Sequence, residues 1–189
     1  MLYLIGGTSR SGKSLLAKSM LAKAGLAYFP LDAAVMGFTQ GFPRVGIHDK
    51  LFPDVIARRM WPFTRALCQS LIYAGDDYVV EGEAFLPEQA RALLDQFPGQ
   101  VACCFLGYAD ITPARKVRQL KAHPQGAGDW LLQENDRFIL SHVKHMVAYS
   151  RRIRRDCKKQ RLKYFDVSQR FTPTLAQAFR FLSRFSDGV

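Results

Sequence analysis

Leu2-Tyr3-Leu4-Ile5-Gly6-Gly7-Thr8-Ser9-Arg10-Ser11-Gly12-Lys13-Ser14-Leu15-Leu16 is the stretch that decides the fold of this chain. Its first part, Leu2 to Ile5, is an apolar run of strand length, and a segment of helix length opens at Lys13 and continues to Lys23. Between them, Gly7 to Ser14 matches G-x-x-x-x-G-K-[ST] at every fixed position. Glycines there let the backbone wrap so that successive N–H groups face inward, and the helix adds its unpaired amides and its positive end. A nest of this kind accepts a polyphosphate. The residues expected around it are Gly7, Thr8, Ser9, Arg10, Ser11, Gly12, Lys13, Ser14 and Leu15. Lys13 would reach the β and γ phosphate oxygens of ATP, and the Ser14 hydroxyl would supply one oxygen ligand to Mg²⁺.

Outward from this motif, strand-length runs recur at Leu26 to Leu31, Tyr78 to Glu81, Val101 to Leu106 and Lys163 to Val167. Helix-length segments separate them: Pro53 to Ala74, Pro87 to Gln96, Pro113 to Ala122, roughly Asp129 to Lys159, and Thr174 to Arg184. Pro53, Pro87, Pro113 and Pro173 suit a first helical turn, where a missing N–H costs nothing, and Thr112 and Thr172 are expected caps. Pro62 is expected to kink or split its helix. Strands alternating with helices imply crossover connections and a mostly parallel sheet, with ligands at the carboxyl ends of the strands. Gly37 to Lys50 and His123 to Gly128 read as irregular loops.

The chain has 189 residues, 48% hydrophobic and 23% charged, with a net charge of +11. That balance suits a single globular domain spanning 1–189 and excludes a disordered or collagen-like chain. No apolar run nears the roughly 18 residues of a bilayer span, and the N-terminus lacks the pattern of a secretory signal, so no membrane association and a cytoplasmic location are expected. Cys68, Cys103, Cys104 and Cys157 form no C-x-x-C pair and read as reduced core thiols.

Switch GTPases need a guanine-reading N-K-x-D, which is absent. The chain instead resembles the small phosphate-loop kinases of the nucleoside-monophosphate-kinase type, nearest to the 2-phosphoglycerate-kinase-like small-metabolite kinases. The residues that carry the likeness are YLIGGTSRSGKS at 3–14, LD at 31–32, YVVEGEAFLP at 78–87, the stretch from Arg115 to Trp130, and KYFDVS at 163–168. The resemblance implies a three-layer α/β sandwich around a five-stranded parallel sheet in the order 2-3-1-4-5. It also implies a substrate-binding insert at about 33–74 and a helical LID at about 112–140. Asp32, expected at the end of the second strand, would then orient the acceptor hydroxyl or take its proton. Glu81 would be delivered by a buried strand to the edge beside the phosphate loop, to serve the metal through water, the substrate, or as a base. Glu83 is a weaker competitor for that place. Arg115, Arg118, Arg151 and Arg155 would close over the phosphates and neutralise developing charge.

Basic residues elsewhere bear on the partner. Arg44, in the irregular stretch, is the preferred contact for a small anionic acceptor. Between Lys144 and Lys163 nine Lys or Arg face a single acid, Asp156. An apolar stripe at Ile139, Val143, Met146, Ile153 and Cys157 would dock that helix and leave a basic face outside. A second expectation follows, a nucleic-acid binder or polynucleotide-end kinase, although no aromatic side chains interleave Arg151 to Arg161 as a stacking platform requires. A third is a non-catalytic nucleotide-binding protein. Trp130 is expected to anchor the LID in apolar packing.

Overall fold

The structure, a computed structural model, describes residues 1–124 and 129–185. Gln125 to Gly128 of the expected loop lie outside them. Five strands, β1 (Leu2–Gly7), β2 (Ala27–Pro30), β3 (Tyr78–Glu81), β4 (Val101–Gly107) and β5 (Lys163–Asp166), form one sheet in the order β2-β3-β1-β4-β5, every pair parallel. The helices are α1 (Lys13–Ala24), α2 (Leu31–Gly41), α3 (Pro53–Ala74), α4 (Pro87–Gln96), α5 (Pro113–Ala122), α6 (Asp136–Lys159) and α7 (Phe171–Ser183). Short 3-10 turns at Pro43–Val45 and Trp130–Gln133 complete the path.

A central strand buried on both faces alternates between two cores, because successive side chains point to opposite sides. Leu2 and Leu4 of β1 join Val80, Cys103 and Phe105 in the core beneath α2, α3, α4 and the C-terminal half of α6. Tyr3 and Ile5 join Val79, Cys104 and Leu106 in the core beneath α1 and α7. Cys103 and Cys104 therefore fall on opposite faces, and all four cysteines are buried free thiols. A third cluster, Tyr108, Ile111, Leu120, Leu131, Ile139, Val143, Met146, Val147 and Val167, gathers α5, the Trp130–Gln133 turn and the first half of α6 into a cover beyond the ends of β4 and β5.

Three local expectations are revised. Helix α3 is not split at Pro62 but runs from Pro53 to Ala74, because Ile56, Ala57, Met60, Thr64 and Cys68 bury a face on both sides of it that outweighs one lost backbone bond. Residues 31–41 form helix α2: Leu31 and Val35 are buried one turn apart, and Asp32 in the first turn meets the positive helix end. Asp32 is thus the second residue of a helix, two residues past the end of β2 rather than at the end of the strand. Thr172 lies inside α7, which starts at Phe171 after an Arg170 cap position, whereas Thr112 caps α5 by accepting the Arg115 N–H at 3.3 Å. Among the described residues no helix is long and apolar enough to cross a membrane.

Candidate active site

The phosphate loop leaves the sheet at Gly7, whose φ of +127° and close approach to β4 admit no side chain: a Cβ there would lie 1.9 Å from the Leu106 carbonyl oxygen. The Thr8 N–H donates to that same oxygen at 3.1 Å. From here three consecutive carbonyls are each held by a side chain. Lys13 Nζ donates to Thr8 O at 3.0 Å, Tyr108 Oη to Ser9 O at 2.7 Å, and Lys116 Nζ to Arg10 O at 3.1 Å. Pinning the carbonyls fixes the peptide planes between them, which turns the loop sequence into a rigid nest. Gly12 then enters α1 at φ +95°, packed against Phe171 and Leu175. No side chain caps the α1 N-terminus and no acid sits in its first turn, so its amides keep their positive potential.

Tyr108 reaches the loop because the end of β4 is itself fixed. Ser150 Oγ of α6 accepts the Tyr108 N–H at 2.7 Å and lies 3.0 Å from the Tyr164 hydroxyl of β5. Gly107 must be glycine for these groups to meet, since a Cβ there would sit 2.3 Å from Tyr164 Oη and 2.4 Å from Ser150 Oγ.

Carboxylates line the opposite rim. Glu81, 2% exposed at the end of β3, accepts the Ser14 hydroxyl at 3.1 Å through Oε1, while its buried Oε2 has no hydrogen-bond partner among the described residues. Burial raises its pKa, with Asp32 adding to the rise and Lys13 opposing it. Glu83 accepts the Ser9 N–H at 2.9 Å, and burial likewise raises its pKa against the pull of Lys13. Gly82 between them lets the first turn of α2 lie against β3, since a Cβ would meet Leu31 Cβ at 2.7 Å. That contact brings Asp32 Oδ1 to 3.4 Å from the Glu83 N–H.

A cleft of about 890 Å³ opens between these elements, lined by Ser9, Arg10, Gly12, Lys13, Ser14, Leu15 and Lys18 on the loop side, by Asp32 opposite, and by Lys116, Gln119, His123, Phe171 and Thr172 beyond. Its size suits a nucleotide. Thr8 Oγ1 and Ser11 Oγ of the loop are buried without a hydrogen-bond partner among the described residues. The residues fit the group that the loop motif implies: the uncapped start of α1 and Lys13 for a polyphosphate, and the Ser14 hydroxyl with the Glu81 Oε2 for a hard divalent cation.

Of the residues expected from sequence, the structure brings Lys13, Ser14, Glu81 and Asp32 together around one cleft. Arg44 is exposed on the turn after α2. Arg115 is exposed and bonds Gln169 at 2.7 Å, and Arg118 is exposed on the same helix. Arg151 donates to the Ala109 carbonyl at 3.1 Å, and exposed Arg155 lies 3.7 Å from Asp156. None of these four arginines is in the cleft wall. The cation from α5 that is in it is Lys116, 5% exposed, with Nζ 3.9 Å from the centre of the Tyr108 ring. Burial first, and Arg10 second, lower its pKa to about 8. The sequence offered one clue to Lys116, its i, i+4 spacing from apolar Leu120, which puts both on the buried face of α5. Trp130 is 53% exposed rather than sunk in apolar packing, and it meets the His142 ring edge-on at 5.4 Å.

Asp129 belongs to no motif in the sequence, and its part in the site comes from the fold. Its carboxylate forms a two-pronged pair with Arg10, Nη1–Oδ2 and Nη2–Oδ1 both 2.6 Å, with side chains 7% and 4% exposed. Arg10 holds this pair from a left-handed backbone, φ +61°, which costs a non-glycine residue about 1 kcal/mol.

No family model matches the sequence, and no curated protein is similar to it in sequence. Solved structures are similar in fold. A gluconokinase from Sinorhizobium meliloti 1021 superposes with a TM-score of 0.59 at 18% identity, covering 98% of this chain and 93% of that one. A shikimate kinase from Bacteroides thetaiotaomicron gives 0.57 at 13% identity, covering 99% and 98%. A sugar kinase from Janibacter sp. HTCC2649 gives 0.55 at 18% identity, covering 96% and 94%. The likeness is one of fold: this chain has the three-layer α/β architecture, with sheet order 2-3-1-4-5, found in small-molecule phosphate-loop kinases.

Proposed function

We propose that the chain is an ATP- and Mg²⁺-dependent kinase that transfers the γ-phosphoryl group to a small, polar metabolite. The observation that carries this reading is the pinned loop. Three held carbonyls, an uncapped helix start and a buried lysine converge on one cleft whose far wall carries Asp32. ATP·Mg²⁺, when bound, supplies the phosphoryl group and part of the charge neutralisation. The chain supplies position and field.

Lys13 exchanges its bond to Thr8 for a phosphate oxygen. Lys116 adds a second cation from the cover, in the role that the resemblance implied for Arg115, Arg118, Arg151 and Arg155. Ser14 and Glu81 face the metal side. Asp32, exposed to the cleft, is the residue assigned to the acceptor hydroxyl, whose proton it takes as the oxygen attacks phosphorus. Acceptor contacts fall to the 33–74 segment, with Arg44 as the anion contact. Arg58, Arg59 and Arg65 of the same segment are already engaged, with Asp54 at 2.9 Å, with the Gly46 carbonyl, and with Gln96 at 3.2 Å. The cover at about 112–140 excludes water from the transfer, within one kinase domain spanning 1–189. The metabolite reading is preferred to a nucleic-acid one because two members of the basic run, Arg152 and Arg154, are paired with Asp54, Asp156, Asp110 and Asp166.

Titration calorimetry with Mg·ATP, followed by a screen of sugar acids, polyols, phosphoglycerates and nucleosides for ATP consumption above an acceptor-free blank, tests the proposal. Absence of binding heat at saturating nucleotide would reject it.

A further inference from the structure

Arg10 occupies a position in the phosphate loop whose backbone suits glycine, φ +61°, and yet it carries one of the longest side chains. Strain of this kind persists where the surroundings over-determine it. Here they do so at both ends of the residue. The guanidinium is matched fork to fork by Asp129, with both contacts at 2.6 Å and both side chains under a tenth exposed. The carbonyl is held by Lys116 at 3.1 Å. Asp129 immediately precedes the Trp130–Gln133 turn, and Lys116 belongs to α5, so one loop residue is tied to two elements of the cover.

We propose that Arg10 is a positioning residue: through Asp129 it fastens the phosphate loop to the Trp130–Gln133 turn, holding the loop amides and the cover in one arrangement before a nucleotide arrives. This rests on the reading that the loop binds nucleotide phosphates. It assigns the Arg10 side chain to Asp129 and away from the phosphates. A buried ion pair adds little net stability, and what it adds here is register between two parts of the site.

The test labels the chain with 5-fluorotryptophan, giving ¹⁹F signals from its two tryptophans, Trp61 and Trp130. Trp130→Phe assigns them, and Trp61 in α3 serves as internal control. Arg10→Gly suits the φ of the site and keeps the loop backbone, so the variant is expected to fold. Without nucleotide, Arg10→Gly and Asp129→Asn should each move the Trp130 signal and enlarge its H₂O/D₂O shift, with Trp61 unchanged. Each should also weaken Mg·ADP binding about tenfold. The double variant Arg10→Gly/Asp129→Asn should be no looser than either single one. Unmoved Trp130 signals, additive effects, or a double variant that regains wild-type behaviour would overturn the proposal, the last by showing that only an unpaired buried carboxylate was at fault. If the unaltered chain bound no Mg·ADP, the phosphate-site reading would fall, and the Trp130 signal alone would decide whether the tie exists.

Discussion

Lys13 Nζ lies 3.0 Å from the carbonyl oxygen of Thr8, so the amine that a phosphate would attract is bonded within its own loop. Replacing it removes a charge-assisted bond to the ligand and also one of the three restraints on the loop carbonyls. Lys13→Met should therefore bind Mg·ATP about 10- to 100-fold more weakly, measured by calorimetry, and should lose phosphoryl transfer.

Glu81 presents the opposite balance, a carboxylate that suits a ligand better than it suits the fold. It is buried with one oxygen unpartnered among the described residues, and burial raises its pKa. A carboxyl group whose folded pKa is raised is a cost above its unfolded pKa of about 4.5, and that cost vanishes as pH falls below this value. Glu81→Gln should accordingly be more stable than wild type to urea at pH 7, with the advantage shrinking toward pH 4. The same variant should lose most of the Mg²⁺-dependent gain in nucleotide affinity.

Lys116 titrates in an accessible window. Its folded pKa is lowered to about 8 from 10.5, chiefly by burial, so the folded state sheds this proton before the unfolded chain does. Below pH 8 the full cost of the buried cation is present, and between about 8 and 10.5 stability from this group rises with pH. Relative to Lys116→Met, the wild-type chain should gain up to roughly 3 kcal/mol across that window, read from urea midpoints at several pH values.

Two glycines with positive φ separate strain from collision. At Gly7 a Cβ would strike the Leu106 carbonyl at 1.9 Å, whereas at Gly25, φ +69°, nothing lies within 4 Å. Gly25→Ala should cost about 1 kcal/mol for backbone conformation alone. Gly7→Ala should cost roughly 3 kcal/mol or more and displace β1 from β4, visible as a large fall in melting temperature and loss of nucleotide binding.

Much of the sheet was legible because its strands are short apolar runs bounded by glycine, proline or charge. Tyr78 to Glu81 begins and ends in the structure where the apolar pattern does. Helices α3, α4 and α5 start at prolines that announce a first turn. Helix α2 escaped notice because Gly37 and Gly41 suggest a loop, while the contacts that stabilise it, Leu31 and Val35 in the core, come from α3 and β3 far along the chain. In the site, Lys13 and Ser14 were given by local spacing. Asp129 and Lys116 were not, since their roles depend on where the cover folds back over the loop, a relationship between residues more than 100 positions apart. The arginines expected over the phosphates, Arg115 and Arg118 on α5 and Arg151 and Arg155 on α6, stand outside the cleft wall here, with Arg151 bonded to the Ala109 carbonyl.

All five strands run the same way, so Gly7, Pro30, Glu81, Gly107 and Asp166 finish on one rim of the sheet. On the proposed reading, the side chains that would distinguish one acceptor from another are those of the turn after α2 and the exposed faces of α2 and α3, apart from the two cores that pack on the faces of the sheet. Evolution could rewrite the upper side chains in many steps without disturbing the interior. If the loop holds phosphates as proposed, a scaffold divided in this way could drift between metabolites while that loop stays unaltered.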